Sequence, residues 1–265
     1  MTKHRLTILG CGPSGGVPRI GTMWGSCDPQ NSKNRRRRCS VMFEQLDNNK
    51  VTRVLVDTPP DLREQLIDVR VDHLDAVIFT HDHADHTHGI DDLRPVCYAM
   101  KSRINTYFDA PTGDSLETRF SYCFAEQPGT GYAPILRANR IVAGDEVRVE
   151  GAGGVMVIKT VPQHHGNIET LGLRVGNIGY SPDISDFPPG SAEIMEGLDL
   201  WVVDALRHTP HPSHFHLKRA LQWIERLQPK QALLTHMMSD LDYDTLCRDL
   251  PPNVRPAYDG LQVTF

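Results

Sequence analysis

The stretch VIFTHDHADH, residues 77–86, decides the fold of this chain. Its first four residues are apolar or β-branched and predict a buried strand, which is followed at once by His81, His83, Asp85 and His86. Residues two apart in extended chain point to the same side, so His81 and His83 can hold one ion together. Asp85 and His86 follow where the chain turns toward a helix, and can hold a second ion. The stretch therefore predicts a metal site at the end of a buried strand.

Further ligand-type residues occupy the same position after other predicted strands: His164 with His165, Asp183, and His236. Open α/β sheets keep their sites along the edge formed by the carboxyl ends of their strands. Ligands that reach one edge from separate strands are typical of a two-metal site. The single Asp183 suits a carboxylate that bridges ions about 3.5–4 Å apart. Spacing alone leaves open whether His164 or His165 is the ligand.

The composition predicts a folded chain with a sizeable core. It has 265 residues, 39% of them hydrophobic, and no apolar run near the roughly 20 residues that cross a bilayer. We expect one domain over residues 1–265 and a cytoplasmic location, because no secretory signal precedes the first strand. The net charge of −5 disfavours a nucleic-acid partner, and the six scattered cysteines disfavour a disulfide scaffold. Eleven of the 13 histidines cluster in four places, as a transition-metal site requires.

Apolar runs predict a strand-rich chain with few helices. Strands are expected at residues 5–9, 53–57, 75–80, 155–161, 170–175, 178–181, 198–204, 231–235 and 261–265. Helices are expected at residues 61–67, 112–124 and 214–228. Gly176-Asn177 predicts a two-residue hairpin turn. The weakly patterned region 105–150, with a loop at 128–131, is interpreted as an insertion that faces the substrate.

These motifs resemble a known family over essentially the whole chain. The H-x-H-x-D-H string with a later histidine, a lone aspartate and a final histidine resembles the metallo-β-lactamase superfamily of dinuclear hydrolases. ILGCGPSGGVPRIG (residues 8–21) and HPSHFHLKRAL (211–221), followed by LLTH (233–236), are similar to its phosphoribosyl cyclic phosphate phosphodiesterase branch. That branch is a relative of the transfer-RNA 3′-processing nucleases.

The resemblance implies an α/β fold, the αββα four-layer sandwich, with two divalent metal ions, zinc or manganese. The implied ligands are His81, His83 and His165 for the first ion, and Asp85, His86 and His236 for the second. Asp183 and a water or hydroxide would bridge the two ions. The resemblance also favours His165 over His164, because family members carry this ligand directly before a glycine, here Gly166.

His214 is the residue expected to transfer a proton. Ser213 is predicted as the N-cap of the helix over 214–228, which would place His214 in the first turn, where a helix attracts anions. The matching family position favours His214 as general acid or phosphate contact. Asp85 and Asp183 are predicted as catalytic residues together with His214.

Three more residues are expected around the site. His211 is predicted to line the substrate-binding site with His214. Asp57 and Asp259 lie at the end or the start of predicted strands. A ligand histidine needs its second ring nitrogen held, and these two carboxylates are candidates for that role, with an ordinary turn aspartate as the alternative.

Other features are interpreted as structural. Residues 10–15 match G-x-G-x-x-G, but no helix start follows, so we expect a tight turn near the metal edge and not a dinucleotide site. The four arginines at 35–38 are interpreted as solvated or salt-bridging residues, and so is Arg94. Cys27 and Cys39 are not expected to hold the structural zinc that some family members carry.

The expected function is hydrolysis of a small cyclic phosphate or nucleotide-like phosphodiester by a metal-bridged hydroxide, with His214 protonating the leaving oxygen. Two alternatives stay open: a ribonuclease of the transfer-RNA 3′-processing type, and a non-catalytic, metal-stabilised nucleotide-binding module. A glyoxalase-type thioesterase is disfavoured by the HPSH segment. The expected partner is a small phosphate-ester substrate. No membrane or nucleic-acid partner is expected. Because members of the branch often dimerise, a homodimer is an open alternative.

Overall fold

The computed structural model describes residues 3–126, 128–129 and 131–265. Seven strands of these residues form a first mixed sheet in the order β14-β1-β2-β3-β4-β5-β6. The strands are β1 (Lys3–Gly10), β2 (Ser40–Asp47), β3 (Lys50–Val56), β4 (Ala76–Ile78), β5 (Ile104–Phe108), β6 (Leu136–Arg140) and β14 (Gln262–Thr264). Strands β3 to β6 run parallel, so their carboxyl ends lie along one edge.

A second seven-stranded sheet has the order β13-β12-β11-β10-β9-β8-β7. Its strands are β7 (Glu146–Gly151), β8 (Gly154–His165), β9 (Ile168–Val175), β10 (Ile178–Ser181), β11 (Leu200–Asp204), β12 (Gln231–Thr235) and β13 (Val254–Pro256). Strands β9 and β10 pair antiparallel across Gly176-Asn177, so the predicted hairpin is confirmed. Strands β10 to β13 run parallel and end at a common edge.

Short helices connect the strands. They are α1 (Leu62–Asp68), α2 (Ala84–Thr87), α3 (Arg94–Met100), α4 (Ala110–Arg119), α5 (Ser121–Phe124), α6 (Leu217–Leu227) and α7 (Tyr243–Asp249). Within the described ranges, no helix is long and apolar enough to cross a bilayer.

The two sheets face each other, and helices cover their outer faces. Phe43 of the first sheet and Tyr180 of the second are buried between the sheets, and the same contiguous core continues to Trp223 of α6. Leu55, on the other face of the first sheet, packs in a separate core with Leu62 of α1. Fully burying one such side chain contributes about 1.5–3 kcal/mol. The layers form the predicted αββα sandwich, and that prediction is confirmed.

The bounds of two predicted elements differ from those in the structure by more than three residues. The strand expected at 155–161 continues to His165, because residues 158–165 keep pairing with β9. The helix expected at 112–124 is interrupted at Phe120, whose φ of −126° lies outside the helical region, and forms α4 and α5. Part of the loop expected at 128–131, Thr130, lies outside the described residues.

The start of α6 corrects the prediction for Ser213 and His214. The helix begins at residue 217, so Ser213 is not its N-cap and His214 does not lie in its first turn. The fully buried Phe215 donates its backbone N–H to the Ile184 carbonyl (2.6 Å), and its own carbonyl accepts from Leu206 N–H (2.9 Å). These tertiary hydrogen bonds hold the segment outside the helix, and they outweigh the local capping preference of serine.

The glycine loop after β1 lies against the arginine segment. A Cβ on Gly10 would fall 2.0 Å from the Arg38 carbonyl oxygen, so only glycine permits this close approach. Cys11, next to it, accepts a hydrogen bond from Met237 N–H (3.0 Å) through its carbonyl. The loop is therefore a tight turn against the segment that follows β12, as predicted.

Three of the four arginines at 35–38 form hydrogen bonds or ion pairs with other groups of the protein. The Arg36 side chain is buried and donates to the Leu241 carbonyl at 2.6 Å. Arg37 pairs with Asp68 (2.7 Å) and Arg38 with Asp61 (3.0 Å). The salt-bridging interpretation is confirmed for Arg37 and Arg38, whereas Arg36 is a buried link between loops.

Glu44 joins three strands of the first sheet. It lies opposite Arg5 in β1 and Arg53 in β3, and accepts from their guanidiniums at 2.5 and 2.9 Å. Only 1% of its side chain is exposed. Burial raises the pKa of Glu44, but the bonds from Arg5 and Arg53 outweigh this and hold the pKa below its usual value.

We expect Glu44→Gln to lower the free energy of unfolding by about 2 kcal/mol, because two partly buried guanidiniums lose their anion. Since the folded pKa lies below the unfolded one, this contribution is complete above about pH 4.3 and is lost as the pH falls through the folded pKa. Urea unfolding near neutral pH and at about pH 3 measures both effects. Glu150→Gln on the exposed side of β7 is the matched control. Equal stability of the two variants near neutral pH would contradict the prediction.

Candidate metal centre

Four side chains from both sheets form a first cluster: His81, His83, His165 and Asp183. Their ligand atoms all lie within 4.8 Å of one another. His81 and His83 lie between β4 and α2 of the first sheet, His165 ends β8, and Asp183 follows β10. The residues expected for the first ion and for the bridge are therefore brought together where the two sheets meet.

Asp85, His86 and His236 form a second cluster, with ligand atoms again within 4.8 Å of one another. The short helix α2 carries Asp85 and His86. His236 directly follows β12 and has a φ of +56°, an uncommon conformation for a residue with a side chain. The hydrogen bond from the next residue, Met237, to the glycine loop stabilises this turn. The residues expected for the second ion thus also lie together.

Asp183 connects the two clusters. Its Oδ1 lies 3.1 Å from His86 Nε2 and 3.5 Å from His236 Nε2, and its Oδ2 lies 3.7 Å from His165 Nε2 and 3.8 Å from His81 Nε2. One oxygen faces each cluster, as a bridging carboxylate requires. Burial raises the pKa of Asp183, but the imidazoles of His236 and His86 outweigh this and hold the pKa well below its usual value.

Several buried polar atoms at this centre have no hydrogen-bond partner among the described residues. They are Nε2 of His81, His86 and His236, and Oδ1 of Asp183. Leaving a buried polar atom unsatisfied costs about 1–3 kcal/mol, and a cation at each cluster would satisfy these atoms. Imidazole nitrogen and carboxylate oxygen are donors that zinc and manganese accept. The residues of the centre therefore fit divalent metal ions.

Hydrogen bonds hold the second ring nitrogen of three histidines. His86 Nδ1 lies 2.7 Å from Asp57 Oδ2, and His165 Nδ1 lies 2.6 Å from a backbone carbonyl oxygen. His81 Nδ1 lies 3.0 Å from the Thr80 hydroxyl, which donates to Asp57 at 2.8 Å. Each contact fixes a ring so that its Nε2 faces the centre. Asp57 therefore lies where an orienting carboxylate was expected.

Asp259, the other carboxylate expected to orient a ligand histidine, contacts none. Its oxygens accept from the backbone N–H of Cys11 (3.1 Å) and of Arg37 (2.8 Å). The expectation for Asp259 is corrected: this carboxylate ties the glycine loop to the arginine segment. Its position in a turn near the edge did not determine where the carboxylate points.

His214 lies beside both clusters. Its Nδ1 is 2.8 Å from Asp204 Oδ2, its Nε2 is 3.8 Å from Asp183 Oδ2, and its ring stacks on His236 with 4.7 Å between centroids. Burial lowers the pKa of His214, but the carboxylates of Asp204 and Asp183 outweigh this and raise it to about 9. The arrangement fixes the ring at Nδ1 and turns Nε2 toward the centre.

Sequence reasoning missed Asp204, although a signal was present. Asp204 ends the apolar strand LWVVD in the same way that Asp57 ends RVLVD. It is fully buried, and besides His214 it accepts from the backbone N–H of Ile184 (3.3 Å). An aspartate that closes an apolar strand lies at the edge where α/β sheets keep their sites.

The remaining histidines near the centre differ in position. The His211 ring lies 5.1 Å from the His214 ring, at the edge of the centre. His164 lies outside both clusters, and its backbone N–H donates to the Asp186 carbonyl. Because side chains alternate along β8, His165 faces the centre and His164 does not.

Three residues discounted from the sequence, Arg94, Cys27 and Cys39, lie outside the candidate metal centre. Arg94 pairs with Asp91 at 2.7 Å, as expected of a salt-bridging arginine. Cys27 and Cys39 are both buried, and neither joins a metal-ligand group in the described parts of the chain.

The comparisons with known proteins identify the family. The model of the beta-lactamase superfamily domain matches residues 52–237, more than half of the chain. The chain therefore belongs to the beta-lactamase superfamily, as predicted, and is a metal-dependent hydrolase. It lies in the PhnP-like branch: it is 34% identical to a solved structure described as a new diphosphatase from the PhnP family. The match covers 100% of this chain and 98% of that one, with a TM-score of 0.87.

Two further similarities are more limited. Human tRNase Z, short form, shares the fold with a TM-score of 0.62 and 17% identity, over 98% of each chain. An octanoyltransferase of Porphyromonas gingivalis (strain ATCC BAA-308 / W83) is 30% identical over 261 residues, which are 97% of this chain and 51% of that protein. The chain thus spans about half the length of this curated relative.

We expect Asp57→Asn to lower the affinity for divalent metal about 10–100-fold, because His86 loses the charged partner that orients it. Asparagine is chosen because it tolerates the φ of +63° at this position. Asp259→Asn is the matched control, since Asp259 contacts no ligand histidine. Competition with a chelator, followed by elemental analysis, measures the affinity. Equal metal retention by the two variants would count against the orienting role of Asp57.

Proposed function

We propose that this protein is a dinuclear metal-dependent phosphodiesterase that hydrolyses a small cyclic phosphate or a nucleotide-like phosphodiester. The observation that carries the proposal is the Asp183 carboxylate, which turns one oxygen toward each cluster. The proposed ligands are His81, His83 and His165 for one ion, and Asp85, His86 and His236 for the other. Zinc or manganese ions bound there would stabilise charge on the phosphoryl oxygens and activate water at neutral pH. Similarity to a diphosphatase supports a phosphate-ester or anhydride substrate.

His214 is proposed as the general acid. Asp204 holds its Nδ1, so the proton on Nε2 faces the centre and can pass to the leaving oxygen. The stacked His236 ring fixes the plane of His214 on its other side. His211, whose ring contacts His214, is proposed to line the site for the phosphate group.

Asp85 has a separate role in the proposal. Its Oδ2 lies 3.6 Å from Nε2 of both His86 and His236, and 13% of its side chain is exposed, against 2% for Asp183. This carboxylate is therefore open to the substrate side. We assign it to accept a hydrogen bond from the attacking water as well as to hold metal.

A ribonuclease function has less support from the arginine segment. Arg36, Arg37 and Arg38 are engaged with carbonyl and carboxylate groups of the protein itself. The similarity to tRNase Z concerns the fold alone and does not support a ribonuclease activity. The cytoplasmic location, the single domain over residues 1–265 and the homodimer stay predictions from the sequence.

We propose that the name octanoyltransferase refers to the half of the Porphyromonas gingivalis protein that this chain does not match. The chain matches 51% of that protein, and the residues of the matched half form a His/Asp centre in this chain. Such a centre is typical of metal-assisted hydrolysis. We therefore assign phosphoester hydrolysis, and not acyl transfer, to this half.

Metal-loaded protein is expected to hydrolyse bis(p-nitrophenyl) phosphate faster than the metal salt alone. Asp183→Ala should abolish this activity, because neither cluster keeps the shared oxygen ligand. Asp186→Ala is the control, since that carboxylate pairs with Arg219 (2.9 Å) outside the centre. Release of p-nitrophenolate measures turnover. The proposal fails if the protein adds nothing to the metal rate, or if Asp183→Ala keeps full activity.

We expect His214→Asn to reduce kcat about 10²–10⁴-fold for adenosine 2′,3′-cyclic phosphate, whose leaving alkoxide needs a proton. The loss should be much smaller for bis(p-nitrophenyl) phosphate, because nitrophenolate leaves without protonation. His208→Asn, at an exposed histidine of the same loop, is the control. Equal losses for both substrates would contradict a role as general acid and indicate a role in binding.

A further inference from the structure

A groove opens directly beside the first cluster. Its volume is about 460 Å³, and His81 and Asp82 line it together with three other segments. These are the start of α4 (residues 109–112), the loop between β6 and β7 (141–143) and the start of β9 (168–169). Because His81 belongs both to the groove and to the metal centre, a group bound in the groove would lie next to the reacting bond.

The walls of the groove are apolar and partly exposed. Val142 is 69% exposed and Ile168 37% exposed, and both line the groove with Ile141 and Pro111. A concave apolar surface with few polar groups beside a reactive centre is typical of a small-molecule site. The groove therefore offers apolar contact area to a ligand.

The wall carrying Val142 is held in place before any ligand binds. Asp145 accepts from Val142 N–H through Oδ2 (3.0 Å) and donates its own N–H to the Val142 carbonyl (3.0 Å). Gly144 N–H donates to the Thr160 hydroxyl (2.9 Å). A preformed wall lowers the entropy cost of binding.

The acidic residues of the groove make it unfavourable for an anion. Its lining residues include three acids and no lysine or arginine. Asp109 caps α4 at Thr112 N–H, whereas Asp82 accepts from the Ser115 hydroxyl at 2.6 Å and pairs with Arg119 at 3.4 Å. The Glu169 carboxylate is exposed and has no side-chain hydrogen bond or ion pair with the rest of the described chain. Glu169 is therefore a free acceptor for a hydroxyl group.

A further cationic side chain, Arg207, lies on the His214 side of the centre, close to His211. The His211 ring contacts His214, and Arg207 donates to the carbonyls of Thr209 (3.1 Å) and Pro210 (2.7 Å). An arginine on that side would favour an anionic part of a substrate. The groove therefore favours an uncharged group of a ligand, whereas the side of His214 favours an anionic group.

We infer that the groove beside His81 binds an uncharged, hydroxyl-bearing organic group of the substrate, a nucleoside. The apolar walls cover its ring faces, and Glu169 accepts a hydrogen bond from a sugar hydroxyl. A second phosphate would meet the carboxylates of Asp109 and Glu169, and an alkyl chain would bury Glu169 without a donor. The inference rests on the proposed function and names the substrate class of the same site. Residues 109–112 and 141–143 of the region 105–150 line the groove. The interpretation of that region as an insertion is corrected, because β5, β6 and β7 are regular strands of the two sheets.

Three esters with the same leaving group test the inference: thymidine 5′-(p-nitrophenyl phosphate), methyl p-nitrophenyl phosphate and n-octyl p-nitrophenyl phosphate. For the metal-loaded protein we expect kcat/KM for the thymidine ester to exceed that for the methyl ester at least about ten-fold. Val142→Asp should reduce this preference about ten-fold. Val155→Asp, at a valine that is 40% exposed on β8 away from the groove, should keep it. No thymidine preference, a stronger octyl preference, or full preference in Val142→Asp overturns the inference.

Binding without turnover separates this inference from the proposed function. Calorimetric titration with thymidine 5′-phosphate and with methyl phosphate should show at least about ten-fold tighter binding of the nucleotide, lost in Val142→Asp and kept in Val155→Asp. If that pattern holds while no ester is hydrolysed, the groove inference stands and the proposed function fails. If methyl ester is hydrolysed but the two phosphates bind equally, the function stands and the groove inference fails.

Discussion

The structure depends on one buried carboxylate placed where the two sheets meet. Burying a charge is costly unless opposite charge and hydrogen-bond donors surround it. Asp183 is surrounded by His81 and His86 from the first sheet and by His165 and His236 from the second. Their inward nitrogens in turn need a cation. The αββα packing and the ligand set therefore depend on each other, because neither sheet alone presents a complete cluster.

Each sheet also supplies one aspartate that holds a histidine. Asp57 lies directly after β3 and contacts His86, while Asp204 ends β11 and contacts His214. Both carboxylates are fully buried, so their contacts with the imidazoles are shielded from water. One sheet thus orients a metal ligand and the other the proposed acid. The same device, an acid at the carboxyl end of a buried strand, serves both roles.

The loops around the metal centre have two different roles: some hold the segment that carries His236, and another forms a wall of the groove. The glycine loop and the buried Arg36 hold the segment after β12, on which His236 depends. The loop with Val142 forms one wall of the groove. Loops tolerate change better than the strands that hold the ligands. Substrate choice can therefore vary in this fold while the metal centre stays constant.

The sequence alone predicts where the proposed ligands lie, because most of them come at or shortly after the end of an apolar strand, which local pattern sets. It also determined the family and the sandwich. Tertiary structure alone decided three points: that Asp204 and not Asp259 holds a histidine, that β8 turns His165 inward, and that His214 precedes its helix. Hydrogen bonds to groups elsewhere in the chain fix His214 through Phe215 and set the directions of Asp204 and Asp259, and local sequence carries no record of such partners. The pairing of β8 with β9 sets which of His164 and His165 faces the centre.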